Sequence, residues 1–385
     1  MSPPRRVPTA AGLLLLFLAA CGEGSVAVSG GAGAPRDLRA EYAWILEGFD
    51  GLRPVGNPAV ELTWSLPAGW DGEAFRVYGR RAGSGSDLLL ATVTSCAEGR
   101  CRYSDLNVRS GATYEYRVAT LEQGGGERPS GRETARVPAY TPPPSPRQGS
   151  TTALNGALYL RWSDGGAGDA LWKYQVYLVE VDGERTLYQA GETDGTGFVD
   201  TRARNGSRYT YRLAAVDTAG HLSDLGDPLQ GIPRPDARAK LIYSFGDRPA
   251  QSGFRFDAAE PVVAGDAAAA QWRLERTGGV LSLRPLAGTE VSAGILTTSL
   301  NCGPGAGPDC RALTVAPGSG YTAAPVALDA EHSYALRVRG SDGRVHFGVV
   351  RVSLLGADAQ GRELMIFDWA YQLLPDEPRL QRSPG

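Results

Sequence analysis

"ATYEYRVATL" at residues 112–121 and "SRYTYRLAAVD" at residues 207–217 decide how this chain is read. Each alternates apolar and polar side chains, the period of a strand with one face buried. Each opens on a Tyr-x-Tyr: Tyr114-Glu115-Tyr116 and Tyr209-Thr210-Tyr211. Working upstream, the rhyme continues. "AVELTWSLP" and "AFRVYGRR" precede the first stretch; "ALYLRWSDG" and "KYQVYLVEV" precede the second. Trp64 answers to Trp162 and Tyr78 to Tyr177, with order and spacing kept at an offset of about 95 residues. Two copies of one small β-module follow each other.

The pattern resembles tandem fibronectin type III modules, over residues 35–138 and 139–234. The resemblance implies β-sandwiches in which Trp64 and Trp162 are core tryptophans of strand B. It implies that Tyr114 and Tyr209 form tyrosine corners, whose hydroxyls tie the strand F turn to upstream backbone. Two features depart from the family. The first module carries an enlarged connection, about "ILEGFDGLRPVGNP", before strand B, and a Cys96–Cys101 loop. Neither module has an Arg-Gly-Asp tripeptide, so integrin-type recognition does not carry over. The aromatic residues read as core, with Trp70 and Trp172 in turn-rich stretches as the exceptions.

Three breaks frame the modules. "GEGSVAVSGGAGA", residues 22–34, is small and polar, a flexible tether whose ends random-coil scaling puts roughly 20 Å apart. "PAYTPPPSP", residues 138–146, reads as a stiff polyproline-like spacer. "GIPRPDARA", residues 231–239, separates the modules from residues 235–385.

That last segment is strand-like throughout, a single antiparallel β-domain. "GSDG" at 340–343 between two strands is a hairpin signal. "HSYALRVRGSDGRVHFGVVRVSLLG", followed by "IFDWAYQ", resembles the HmuY-like family of bacterial surface lipoproteins. "LIYSFG" and "AAQWRLERTGGVLSL" fall where that family has its opening strands, although Arg273 stands where it has aspartate. The resemblance implies haem binding through axial histidine or methionine. The donors here are His332, His346 and Met365, besides His221 in the second module. His332 and His346 flank one hairpin, which predicts cross-strand neighbours rather than ligands on opposite haem faces. No cofactor is therefore expected, and haem capture stands as the runner-up function.

At the N-terminus, Arg5 and Arg6 precede an apolar run from Ala10 to Ala20, too short to span a bilayer. Leu18-Ala19-Ala20-Cys21 resembles the lipobox of bacterial lipoproteins, which implies cleavage of residues 1–20 and acylation of Cys21. Gly22 rather than aspartate follows, as in lipoproteins of the outer membrane. An exported chain meets oxidising conditions. The four other cysteines fall into two close pairs bracketing glycine-containing turns, so local disulfides Cys96–Cys101 and Cys302–Cys310 are expected. A zinc site lacks both the spacing and a nearby histidine.

A net charge of -3 gives no basic footprint for nucleic acid. Nucleophile elbow, His-Glu-x-x-His, P-loop and dinucleotide fingerprints are absent, and the acidic residues sit in turns that favour Asp for backbone hydrogen bonding. The expectation is an all-β, lipid-anchored, non-catalytic envelope protein. Its C-terminal domain would bind protein or glycan, with the "NCGPGAGPDC" loop, 301–310, as the preferred site. An accessory subunit of a polysaccharide-processing system is a further alternative.

Overall fold

A computed structural model of the protein describes residues 32–383 apart from 167, 287, 304 and 381. Cys21 and the signal segment lie outside the described residues. Among those described, strands make up nearly all regular structure, with two short 3-10 turns and no α-helix.

The described residues form two compact units. One comprises residues up to 40, 61–103 and 114–134; the other comprises 41–60, 104–113 and 135–385.

The first module has strands β1 (Arg36–Asp50), β2 (Arg53–Ser65), β3 (Phe75–Arg81), β4 (Leu88–Val93), β5 (Arg100–Asp105), β6 (Thr113–Leu121), β7 (Glu127–Pro129) and β8 (Glu133–Arg136). They form sheets of order β1-β2-β5 and β4-β3-β6-β7, with β8 also on β6. This is fibronectin type III-like topology. Trp64 and Phe75, from opposite sheets, meet edge to face at 5.7 Å in the core. Trp64 is buried, as its place in the alternation requires. Tyr114 is half-buried, its ring 6.4 Å from that of Tyr116. Cys96 is bonded to Cys101, closing a tight turn in front of β5.

The second module repeats the plan with β9 (Arg147–Leu154), β10 (Ala157–Ser163), β11 (Leu171–Val181), β12 (Glu184–Thr193), β13 (Gly197–Asp200), β14 (Tyr209–Asp217) and β15 (Leu229–Gly231). The sheets run β13-β10-β9 and β12-β11-β14-β15. Trp162 is buried and meets Tyr174 edge to face at 5.3 Å. The Tyr209 hydroxyl accepts the Arg204 backbone N–H at 2.9 Å, the geometry of a tyrosine corner.

The enlarged connection is not a loop. Residues 41–60 continue β1 and β2 as a hairpin arm, turned at Gly51-Leu52 with Gly51 at φ 61°. Within the second unit this arm lies on the outer face of the second module. Trp44 stacks on Tyr140 at 4.4 Å and Phe49 meets Tyr177 at 5.0 Å. Tyr42 shares a 2.8 Å hydrogen bond with His221 Nε2, and Asp217 holds the other ring nitrogen at 3.0 Å. Burial and the Asp217 charge push the Tyr42 hydroxyl up to about 12. The proline-rich 138–146 stretch is docked rather than free-standing: Tyr140 Oη donates to Leu222 O and Ser145 Oγ to Asp224 O.

The C-terminal domain is a second kind of sandwich. Its strands are β16 (Asp236–Tyr243), β17 (Gly253–Phe254), β18 (Val262–Val263), β19 (Trp272–Thr277), β20 (Val280–Pro285), β21 (Thr289–Ser292), β22 (Ile295–Leu296), β23 (Tyr321–Thr322), β24 (Val326–Ala327), β25 (His332–Arg339), β26 (Val345–Ala357), β27 (Glu363–Tyr371) and β28 (Arg382–Ser383). One sheet runs β16-β27-β26-β25-β21-β23 and the other β18-β17-β19-β20-β24. Phe254, Trp272, Phe367 and Trp369 interlock between them. On the outer face of the larger sheet, Leu300, Leu313, Ala316 and Leu380 pack with Ala335, Phe347, Val349 and Ala370 in a smaller core. The last strand, β28, leaves this domain to pair with β9 of the second module.

The 231–239 stretch, read as a break, is a buried joint. Arg234 is fully buried. Its guanidinium donates to Leu380 O and, at 2.7 Å, to Asn301 Oδ1, and lies 3.3 Å from Asp236 Oδ2. Asn301 Nδ2 donates to the same Asp236 oxygen at 2.9 Å. Burial pushes Arg234 down to about 10, against the pull of Asp236. Proline and charge make the stretch look like a linker, but the Arg234 guanidinium finds acceptors on Leu380, Asn301 and Asp236.

Candidate functional site

From Leu158 onward strand β10 alternates. Leu158, Leu160 and Trp162 point into the second module and are buried, so Tyr159 and Arg161 point outward. The register sets Thr152 of β9 opposite Tyr159 and Ser150 opposite Arg161. On the other flank Val199 and Gly197 of β13 face the same two residues. Gly197 makes room for the tyrosine, since a Cβ there would come 2.9 Å from the Tyr159 hydroxyl.

Over this polar strip stands the Cys302–Cys310 loop. The two cysteines are joined, with Cα atoms 5.7 Å apart. Two internal turns shape the loop, Ala306 N–H to Gly303 O and Cys310 N–H to Gly307 O, both at 3.1 Å. Its stem is closed by Arg311, whose N–H donates to Thr298 Oγ1 at 2.8 Å and whose carbonyl accepts Thr298 N–H at 2.9 Å. Gly303 lies against β9; a Cβ would touch Leu154 at 3.7 Å and Thr152 at 3.9 Å.

Between loop and strip runs an open groove of about 620 Å³, lined by Ser150, Thr152, Tyr159, Arg161, Arg311 and Thr314. A second hollow of about 550 Å³, on the other side of the loop, is lined by Arg238, Asn301 and Asp309. Both are of ligand-site size. The joint at Arg234 anchors the loop's entry, because Arg234 donates to Asn301 Oδ1 at 2.7 Å. Glu377 adds a second brace. Burial pushes its carboxyl up, and Arg379 and Arg208 more than offset this, holding it below the usual carboxylate range.

The loop named by sequence thus lines a groove. The floor of that groove, Tyr159 and Arg161, was not singled out: these are outward residues of a regular strand, and nothing local announces a loop arriving from 150 residues away. Trp70 is turned inward, its Nε1 donating to Glu73 O at 2.8 Å. Trp172 is 56% exposed, with the Lys173 ammonium 4.1 Å from its ring, and does not line the groove.

The three haem-ligand candidates are kept apart. Register pairs His346 with Val338, six positions along β25 from His332, about 20 Å at strand rise. The expected cross-strand neighbours are therefore at opposite ends of the strand pair. The hairpin is tight only at its own turn, and His332 opens the strand far from it. His346 is buried, with ring nitrogens 3.1 Å from Asp342 Oδ2 and 3.3 Å from Gln372 O. Met365 is fully buried in the core. Among the described residues no group of three or more His, Cys, Asp or Glu is placed to hold a metal ion.

No family model matches the chain. An amylopullulanase of Thermoanaerobacterium saccharolyticum is 36% identical over 87 residues, which are 22% of this chain and 6% of that protein. An amylopullulanase of Thermoanaerobacterium thermosulfurigenes is 30% identical over 95 residues, 24% of this chain and 5% of that protein. The chain therefore spans only a small part of the curated relatives it matches. Among solved structures, the FN1–FN3 domains of chicken CNTN1 align with 53% of this chain and 69% of theirs, at 17% identity and a TM-score of 0.36. A two-domain fibronectin type III segment of chicken tenascin aligns with 51% of this chain and 97% of its own, at 15% identity and a TM-score of 0.20.

Proposed function

We propose that the protein is an exported, lipid-anchored, non-catalytic binding protein of the bacterial envelope. Cys21 carries the lipid in the outer membrane, and the fibronectin type III-like modules present the C-terminal domain; the tether expected over 22–34 does not extend to its end, since Ala32 is buried and Gly33 is hydrogen-bonded to Ala68 and Thr120 of the first module. The ligand is a polysaccharide, held in the groove between the Cys302–Cys310 loop and the outer strip of β10. The observation that carries this reading is the groove itself: a prebuilt, braced hollow of about 620 Å³ whose lining holds hydroxyls and guanidiniums but no catalytic acid, base or nucleophile–base pair. Recognition loops on a rigid sandwich work in this way. The choice of polysaccharide over protein is supported by the two partial relatives, which are by name enzymes of pullulan. An accessory role beside such enzymes is the same chemistry seen from the pathway. The HmuY-like resemblance of the C-terminal domain is retained as a reading of its fold alone, because its three haem-donor residues do not converge.

The test is depletion of the purified mature protein from solution by a panel of insoluble neutral and acidic polysaccharides. Retention by at least one, lost when the Cys302–Cys310 bond is removed as Cys302→Ser/Cys310→Ser, is the expected result. A protein that stays in solution with every polysaccharide is not a glycan binder. Detergent phase separation of wild type and Cys21→Ser tests the anchor separately; a variant that still enters the detergent phase carries no lipid on Cys21.

A further inference from the structure

Arg161 and Arg311 both line the groove, one on the β10 strip that floors it and one at the stem of the disulfide loop. Both are exposed, and neither guanidinium makes a hydrogen bond or an ion pair with any described residue. Elsewhere in the molecule a number of arginines are held by nearby carboxylates. Asp87 holds Arg117 and Arg132; Glu275 holds Arg273 and Arg284; Glu377 holds Arg208 and Arg379. No carboxylate lines this groove, and the nearest acidic loop residue, Asp309, lines the hollow on the other side. Four hydroxyls, from Ser150, Thr152, Tyr159 and Thr314, complete the lining.

We infer that the groove takes an acidic polysaccharide, its sugar carboxylates forked by Arg161 and Arg311 and its hydroxyls met by the serine, threonine and tyrosine side chains. The inference rests on the proposed glycan reading and names the class of glycan. A guanidinium matches a carboxylate with two parallel N–H donors, and two free ones with no competing anion favour a chain that carries repeated negative charge. The chain's net charge of -3 works against indiscriminate polyanion binding, so the attraction is local to the groove.

The probes are polygalacturonate, carrying carboxylates, dextran sulfate, carrying sulfates, and pullulan, carrying neither, with oligo-dT as a generic polyanion. The inference expects polygalacturonate to bind, weakening as salt is raised, with pullulan far weaker. Arg161→Gln and Arg311→Gln should each lower that affinity about tenfold, as for a lost hydrogen bond to a charged group. Both sites are on the surface, so circular dichroism should show both variants folded. Binding of pullulan as tight as polygalacturonate overturns the inference and leaves the glycan reading standing. Dextran sulfate binding without polygalacturonate binding reassigns the anion from carboxylate to sulfate and overturns it as stated. Equal competition by oligo-dT, or polygalacturonate binding untouched in both variants, also overturns it. Failure of all polysaccharides sinks the glycan reading as well.

Discussion

The Tyr211 hydroxyl donates a 2.8 Å hydrogen bond to Asp200 Oδ2, and both side chains are buried inside the second module. Asp200 also accepts the Arg202 N–H at 2.9 Å, so one carboxylate links the end of β13 to the middle of β14. Burial and the nearby Asp200 charge both push the Tyr211 hydroxyl well above its ordinary range, which keeps it a donor. Tyr211→Phe deletes that donor and leaves a buried carboxylate short of a partner. The expected loss is about 1–3 kcal/mol, toward the upper end because the acceptor is charged. Urea unfolding of Tyr211→Phe, Asp200→Asn and the double variant would measure the coupling; additive losses would show that the pair does not act as one.

Which of these features could be read from sequence depends on how far the partners lie from each other. Trp64, Trp162 and the Tyr-x-Tyr pairs were legible because burial every second residue writes itself into a short window. Tyr209 was legible for the same reason, while Tyr211 hid its role, since the Asp200 that needs it looks like any turn aspartate. The hairpin arm was misread because Gly48, Gly51, Pro54, Gly56 and Pro58 all argue against strand. What overrides them is tertiary: Gly56 is kept bare so that Trp44 can lie across it. The Arg234 joint and the floor of the groove were invisible for a simpler reason. Their members, from Ser150 to Leu380, share no local pattern.

The arm supplies a second test. A Cβ on Gly56 would stand 2.5 Å from Ile45 O and 2.8 Å from Trp44 Nε1, so Gly56→Ala must displace the indole from Tyr140. Gly48, on the same arm, has open space around its Cβ direction. Limited proteolysis should open residues 41–60 in Gly56→Ala and in Trp44→Ala, with a stability loss of about 1–3 kcal/mol. Gly48→Ala should behave as wild type. Equal protection in all three would mean that the arm is not held by Trp44.

Asp87 gives the pH dependence. Arg132 and then Arg117, each within 2.7 Å, hold its carboxyl down to about 2, against some desolvation. A depressed folded-state value stabilises the fold above the unfolded aspartate value of about 3.9. That contribution is lost as pH falls from there through about 2. Carbon-detected NMR should find the Asp87 carboxyl titrating far below ordinary aspartates, and Asp87→Asn should flatten the acid loss of stability between these pH values. A midpoint near the ordinary value would dismiss the cluster.

Arg234→Met removes a buried cation and leaves Asn301, Asp236 and the Leu380 carbonyl short of their partner. Breaking a buried charge network in this way costs about 3–5 kcal/mol. The expected readout is a lower unfolding midpoint together with new protease cleavage between 231 and 239. Wild-type resistance in that stretch would remove the case for a joint.

Haem is the last prediction. Bis-axial ligation needs two donors converging on one iron. His332 and His346 are six strand positions apart, and Met365 is sealed in the core. Haemin added to the whole protein should give no saturable Soret shift. A sharp shift abolished by His332→Ala or His346→Ala would restore haem capture as the leading function.

Arg234 ties the end of the second module to the domain that follows it. It stands at the end of one repeat, yet its acceptors Asp236, Asn301 and the Leu380 carbonyl all lie beyond it. A crossover at 234/235 would hand a new neighbour a buried cation without acceptors, and leave the old one with acceptors and no cation. Residues 139–385 are therefore expected to be inherited as a block, with the groove beside the Cys302–Cys310 loop passed on whole or not at all.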